Sequence, residues 1–405
     1  MNRLLTTTAA LAAIGFGCVD EKTAGPMGGP GLSADLLPAS QANVLTIEHS
    51  VPFVSTVPAN AGQNVELSVL ERVRPEILKT GSPDVVLFIH GNSFPGELFD
   101  FDVQPYDWML AVAKAGFDAF EMDNTGFGFS PRPEMEDPCN VDVPTQKAIL
   151  IPNGILKATC APSYPFKLTT SRSDRDEIDR VVDYLRALRG VDRVDIIAWS
   201  LGGWRATSYG ALHPEKVNKL VLLAPVYQPT QPDTAPTVQP EPGLPMTLGT
   251  RASQYGSLWN PDIHCANQVE AGIQDAHWNA TMAVDPLGQL WGAPDGVMRI
   301  RSRNTLWGFN RASAVRFTSS PVLIISGEFD NVVPIATETL PLYNDYGTSQ
   351  KVHVTVQCAS HFMPFEGQAR NLHELSLYYL RHGTVDGVSH GRFYMDTTGT
   401  LTPIN

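Results

Sequence analysis

The chain has 405 residues, 43% of them hydrophobic and 18% charged, an ordinary composition for a globular protein. That length corresponds to two domains, or to one large α/β domain with a sizeable insertion. A formal net charge of −13 and a pI near 5.2 argue against a nucleic-acid partner, which needs a basic surface, and leave no polybasic patch for a membrane.

Residues 1–18 read as an export signal and are set aside from the fold. Met1-Asn2-Arg3 is a short positive start, residues 4–16 are mostly apolar, and Gly17 precedes Cys18. The end of this stretch, G-F-G-C, resembles a bacterial lipobox, with Gly15 where that motif prefers Leu. The resemblance implies that Cys18 becomes a lipidated N-terminus, so that the exported protein is anchored to the cell envelope. Plain secretion, with Cys18 removed or unmodified, is the alternative. No later apolar run is long enough to span a bilayer. Residues 19–43, rich in Gly, Pro, Ala and Ser, read as a flexible linker.

Residues 44–54 and 64–73 are β-rich and flank a turn, which predicts an antiparallel pair. V-V-L-F-I at 85–89 is a strand buried on both faces, ending in His90-Gly91-Asn92. A helix over 106–115 stops at Gly116, and 117–122 is the next strand. Strands and helices in alternation predict a mostly parallel sheet with right-handed crossovers. The long Pro-rich stretch 131–170 breaks that rhythm and contains Cys139 and Cys160. An amphipathic helix starting at Ser171 or Ser173 follows, with Ile178, Val181, Val182 and Leu185 on one stripe and Gly190 closing it.

Residues 194–203 read V-D-I-I-A-W-S-L-G-G: an apolar strand to Ala198, then Ser200 at its tip, then a helical run over 204–212. A serine held at a tight strand-to-helix turn strains its backbone, and only small neighbours such as Ala198 and Gly202 let strand and helix approach. The helix aims its free N–H groups at charge developing beside the serine. Residues 217–223 form another buried strand; 321–326 and 352–356 are the last two, and 366–380 the closing helix. Between them, 225–319 is Pro- and Thr-rich and then carries Trp259, Trp278, Trp291 and Trp307 in short helical patches. The tail 383–405 is polar and Gly-rich, without a functional reading.

Four segments, each following a strand, now stand in order: His90-Gly91-Asn92, Ala198-Trp199-Ser200-Leu201-Gly202, G-E-F-D-N-V-V-P at 327–334, and Ala359-Ser360-His361-Phe362. Together they resemble the α/β-hydrolase superfamily of serine hydrolases, esterases and lipases, over about residues 85–380. Ala198 replaces the usual first glycine of the serine turn, and Ser360 stands where glycine often precedes the histidine. The resemblance implies an α/β fold with a mostly parallel eight-stranded sheet flanked by helices. The core would be 44–224 and 320–382, with 225–319 a cap inserted between the sixth and seventh strands. An ordinary second domain with its own core is the alternative for that insertion.

By the same resemblance Ser200 is the nucleophile, His361 the base and Asp330 the acid that orients it. The backbone N–H groups of Leu201 and Asn92 would form the oxyanion hole, and His90 would be structural. Glu328 is an alternative acid; Asp123 sits in a turn and is left out. Haloalkane dehalogenases also carry H-G-N, but use an aspartate nucleophile followed by tryptophan; here Leu201 follows Ser200. The chemistry asks for such a set, because a serine hydroxyl is a poor nucleophile until an imidazole takes its proton and a carboxylate steadies the imidazolium. Loops at the carboxyl ends of parallel strands converge, which brings distant residues together.

The expected activity is cleavage of a small-molecule carboxylic ester through an acyl-enzyme, without metal or organic cofactor. Amide or peptide cleavage by the same triad, and a non-catalytic binding lipoprotein on this scaffold, are the rivals. Aromatic and apolar residues in the insertion suggest a pocket for an apolar acyl or alcohol group. Beyond Cys18 four cysteines remain, which allow three pairings. Cys139–Cys160 as a local clasp and Cys265–Cys358 as a long-range one are preferred, the second tying the insertion to the loop of His361. No cysteine or histidine spacing suggests zinc.

Overall fold

The apolar runs become neighbouring strands in the computed structural model, which describes residues 43–80, 84–292 and 294–404. The export signal, Cys18 and the linker up to residue 42 lie outside the described residues. The strands are β1 (Leu45–Val54), β2 (Asn64–Val73), β3 (Val85–Ile89), β4 (Asp118–Met122), β5 (Val194–Trp199) and β6 (Val217–Leu223). Then come β7 (Met246–Gly249) and β8 (Met298–Arg301), which pair with each other, and β9 (Val322–Gly327), β10 (Lys351–Val356), β11 (His390–Met395) and β12 (Leu401–Ile404). The main sheet runs β1-β2-β4-β3-β5-β6-β9-β10-β11-β12. It is parallel from β4 to β11 and antiparallel at both ends.

Every residue of β3, β5 and β9 is buried, as strands covered by helices on both faces must be. Phe88, Ile197 and Val221 stand in register across β3, β5 and β6. Each such side chain contributes roughly 1.5–3 kcal/mol through burial. At the edge, β1 alternates between exposed and part-buried residues, so only one face is covered.

The eight expected strands are joined by two more from the tail. β11 adds parallel to β10, and β12 folds back on it. Their sequences gave no strand signal because they close the end of the sheet, where little is covered: β11 buries only Phe393 and Met395, and β12, the edge strand, buries nothing completely.

Helices flank the sheet at Trp108–Lys114, Ser171–Arg189, Leu201–Leu212 and Ala369–His382. Asp107 caps the first by accepting from Leu110 N. Thr170 and Ser173 cap the second reciprocally, and it ends at Gly190 with φ 66°. The third begins directly after Ser200, three residues earlier than its apolar spacing indicates. The fourth begins after Glu366, which was expected inside it and instead stands on a tight turn.

Among the described residues, the buried side chains of 225–319 pack with those of other segments. Trp259, Trp278, Met298 and Phe309 belong to the same buried cluster as the sheet. Met246, Trp291 and Val297 form a small second cluster with Met135, Val141, Leu150 and Leu168 of the 131–170 stretch. That stretch is pinned by the Cys139–Cys160 disulfide and by the Gln146 amide, which bonds the backbone of both cysteines. The second disulfide joins Cys265 to Cys358, so both preferred pairings are present. Among the described residues no helix is long and apolar enough to cross a membrane.

Candidate active site

Ser200 sits between β5 and its following helix at φ 58°, ψ −123°, a backbone conformation that side chains rarely adopt. Its carbonyl accepts from Gly203 N and Val226 N, and its own N–H donates to Leu223 O, so the turn is held from three sides. Close packing explains the small neighbours. A Cβ on Gly202 would lie 2.3 Å from Ile89 O and 2.6 Å from His90 O, and one on Gly203 would lie 2.5 Å from Pro225 Cβ. Ala198 takes the place of the first glycine and is fully buried.

Gly202→Ala is therefore expected to destabilise the protein by about 2–4 kcal/mol, because backbone carbonyls must move to admit the methyl group. Denaturant unfolding checks this. A loss below about 0.5 kcal/mol would mean that the turn opens freely.

Ser200, His361, Asn92 and Leu201 line one cavity of about 200 Å³. Apolar walls come from Phe94, Trp199, Val226, Leu258 and Phe362, with Arg303 also present. His361 Nδ1 and Asp330 Oδ2 are 2.9 Å apart, and both residues are buried. Asp330 Oδ1 accepts from Val333 N at 2.7 Å, which fixes the carboxylate's rotation. Ser200 and His361 line the same cavity, and no hydrogen bond joins them. The N–H groups of Asn92 and Leu201 have no acceptor among the described residues. For Leu201 this follows from its place in the first turn of a helix. Asn92 is part-buried, and its side-chain Oδ1 is buried without a partner.

The histidine loop is held by groups that its local sequence did not flag. Trp199 Nε1 donates to His361 O at 3.0 Å. Glu366 accepts from Ser360 N and Oγ and from Trp259 Nε1, which belongs to the insertion. Burial pushes the Glu366 carboxyl above its usual range against those donors. Asp262, also of the insertion, accepts from Asn331 N and Nδ2 beside Asp330. With Cys265–Cys358, residues 225–319 thus hold both the loop of Asp330 and the loop of His361.

The H-G-N turn is anchored from below. His90 Nε2 accepts from Asn124 N, so the proton is on Nδ1, which donates to Gly91 O. Burial, with the Arg205 and Arg301 charges, holds His90 well below its usual pKa, and the ring is neutral. Arg205 donates to His90 O and Gly91 O, and pairs with the buried Asp174, which Arg301 also meets. Burial would push Asp174 up, but the two guanidiniums outweigh it and hold it below its ordinary value. Burial draws Arg205 down to about 10.

The other carboxylates weighed from sequence are engaged elsewhere. Glu328 accepts from Cys358 N and Tyr394 Oη. Asp123 accepts from Gly96 N and Phe129 N inside its turn. Among the described residues no group of His, Cys, Asp and Glu is arranged to hold a metal ion.

Residues 86–374 match the Alpha/beta hydrolase family. The poly(3-hydroxyalkanoate) polymerase subunit PhaC of Allochromatium vinosum is 50% identical over 46 residues, 11% of this chain and 13% of that protein. The Homo sapiens 1-acylglycerol-3-phosphate O-acyltransferase ABHD5 is 29% identical over 90 residues, 21% of this chain and 26% of that protein. The chain thus spans about a quarter or less of the length of these curated relatives. The structure of a thermophilic esterase from Thermogutta terrifontis aligns at TM-score 0.49 and 15% identity, over 83% of this chain and 99% of the esterase.

Proposed function

The chain belongs to the alpha/beta hydrolase family, and from that premise we propose that it is a serine hydrolase cleaving a carboxylic ester through an acyl-enzyme. Ser200 Oγ attacks the ester carbonyl while His361 Nε2 takes its proton. Asp330 holds the other ring nitrogen and stabilises the imidazolium. The Asn92 and Leu201 N–H groups receive the oxyanion, each contributing roughly 3 kcal/mol to the transition state. The alcohol leaves with the proton from His361, and water releases the acid by the same route in reverse.

The main support is one arrangement. A serine held in a strained turn shares a cavity with a histidine whose far nitrogen lies 2.9 Å from a buried carboxylate. The 225–319 insertion, which supplies Val226, Leu258 and Arg303 to that cavity, acts as the cap. Two disulfides favour an oxidising compartment, consistent with export and either secretion or anchoring through Cys18.

The test is release of nitrophenol from a series of nitrophenyl esters, together with labelling by a fluorophosphonate. A cavity of about 200 Å³ is below the usual range for drug-sized ligands, so the optimum is expected at short acyl chains, roughly two to four carbons. Labelling of a folded protein without turnover of any ester would move the activity to amides. Absence of both would leave a binding protein.

A further inference from the structure

Three arginines stand at alternate positions on and just beyond β8: Arg299, Arg301 and Arg303. The first two are buried and matched. Arg299 pairs with Asp285 and donates to Met135 O; Arg301 pairs with Asp174 and donates to Thr125 O. Arg303 has no carboxylate within ion-pair distance and no hydrogen bond among the described residues, and it lines the cavity of Ser200 and His361. Glu338 is the carboxylate whose charge acts on it, yet Glu338 stays beyond contact and accepts from Tyr227 N instead.

An exposed guanidinium without an ion-pair partner, at the rim of the cavity that holds Ser200 and His361, has a definite consequence. Arginine presents parallel N–H donors that match a carboxylate, and it stays charged throughout the working pH range. A net charge of −13 repels anions at long range, so a preference for an anionic substrate has to come from a local cation such as Arg303.

Building on the esterase reading, we propose that Arg303 is a specificity-determining residue, and that the preferred substrates are esters carrying a free carboxylate, such as half-esters of short dicarboxylic acids. The cavity then seats the reacting carbonyl beside Ser200 and the distal carboxylate on Arg303. The carboxylate stays unchanged while the ester bond breaks. This differs from the purely apolar acyl pocket that the tryptophans of the insertion suggest.

The test compares mono-4-nitrophenyl glutarate with its neutral methyl ester, in native protein, Arg303→Gln and Arg303→Glu. Native protein is expected to favour the anionic ester in kcat/KM by about tenfold or more, as for a charge-assisted hydrogen bond. The ratio should fall to near one in Arg303→Gln and below one in Arg303→Glu. A native ratio of one or less, or one that Arg303→Gln leaves unchanged, overturns the proposal.

A second readout separates it from the esterase reading. Calorimetric binding of monomethyl glutarate to Ser200→Ala, with and without Arg303→Gln, needs no turnover. Arg303-dependent binding in a protein that hydrolyses neither ester keeps the anion site and removes the esterase. Hydrolysis of both esters without preference, and binding indifferent to Arg303, removes the anion site and keeps the esterase. Neither binding nor hydrolysis removes both.

Discussion

Ser200→Ala is expected to lower kcat on nitrophenyl esters by about 10,000-fold or more, while the variant unfolds at close to the native denaturant concentration. The two halves of this expectation rest on different physics. Without Oγ no acyl-enzyme forms, and His361 has no hydroxyl to activate. Residual turnover would then come from substrate binding and the N–H groups of Asn92 and Leu201 acting on water. Alanine accepts φ 58° no better and no worse than serine, and Ser200 Oγ makes no hydrogen bond among the described residues, so little stability is at stake. Steady-state kinetics after removal of trace contaminating esterase, with a denaturant curve beside it, checks both. Activity within about tenfold of native in a folded variant would exclude Ser200 as nucleophile.

Asp330→Asn is the second large effect, a loss of about 1,000- to 10,000-fold in kcat. The carboxylate lies 2.9 Å from His361 Nδ1 and accepts from Val333 N through its other oxygen. An asparagine can keep the Val333 bond, so the loop stays formed. Turned that way, it offers an N–H to His361 where an acceptor is needed. The imidazole then adopts the tautomer that places a proton on the nitrogen facing Ser200, and that nitrogen cannot act as base. Glu328→Gln is the matched control. Its hydrogen-bond partners are Cys358 N and Tyr394 Oη rather than His361, and it should change kcat by less than about twofold. If the two variants exchanged effects, the acid would be Glu328 and the loop geometry described above would not be the working one.

Much of this molecule can be read locally. V-V-L-F-I, V-D-I-I-A-W and V-L-I-I-S announce buried strands because burial on both faces demands apolar residues at every position, and such a demand is written within five or six consecutive residues. The serine turn is legible for the same reason: its steric limits fall on Ala198, Gly202 and Gly203, immediate neighbours of Ser200. The pairing of His361 with Asp330 followed from the order of strand ends. The choice of Asp330 and His361 themselves came from the resemblance to α/β-hydrolases; the convergence of their loops follows because parallel strands open their loops on one side.

What escaped depends on partners far along the chain or on weakly covered edges. β11 and β12 bury too few residues to impose a period, so a polar tail hides two strands of the sheet. Glu366 looked like a first-turn helix acid; its role appears once Trp259, 107 residues away, reaches it. Arg205 read as one more residue of the elbow helix, yet it holds the carbonyls of His90 and Gly91, and Trp199 holds His361 across 162 residues. Arg303 is the sharpest case. Its sequence neighbours Arg299 and Arg301 find buried carboxylates and it does not, a difference set by where β8 ends relative to Asp285, Asp174 and the cavity. Local composition dictates which segments are strands and which turn can hold a nucleophile, because those constraints are steric and short-ranged. Which charges are neutralised and which remain free for a ligand is settled by packing between segments, because a charge's partner is chosen in space and leaves no periodic trace along the chain.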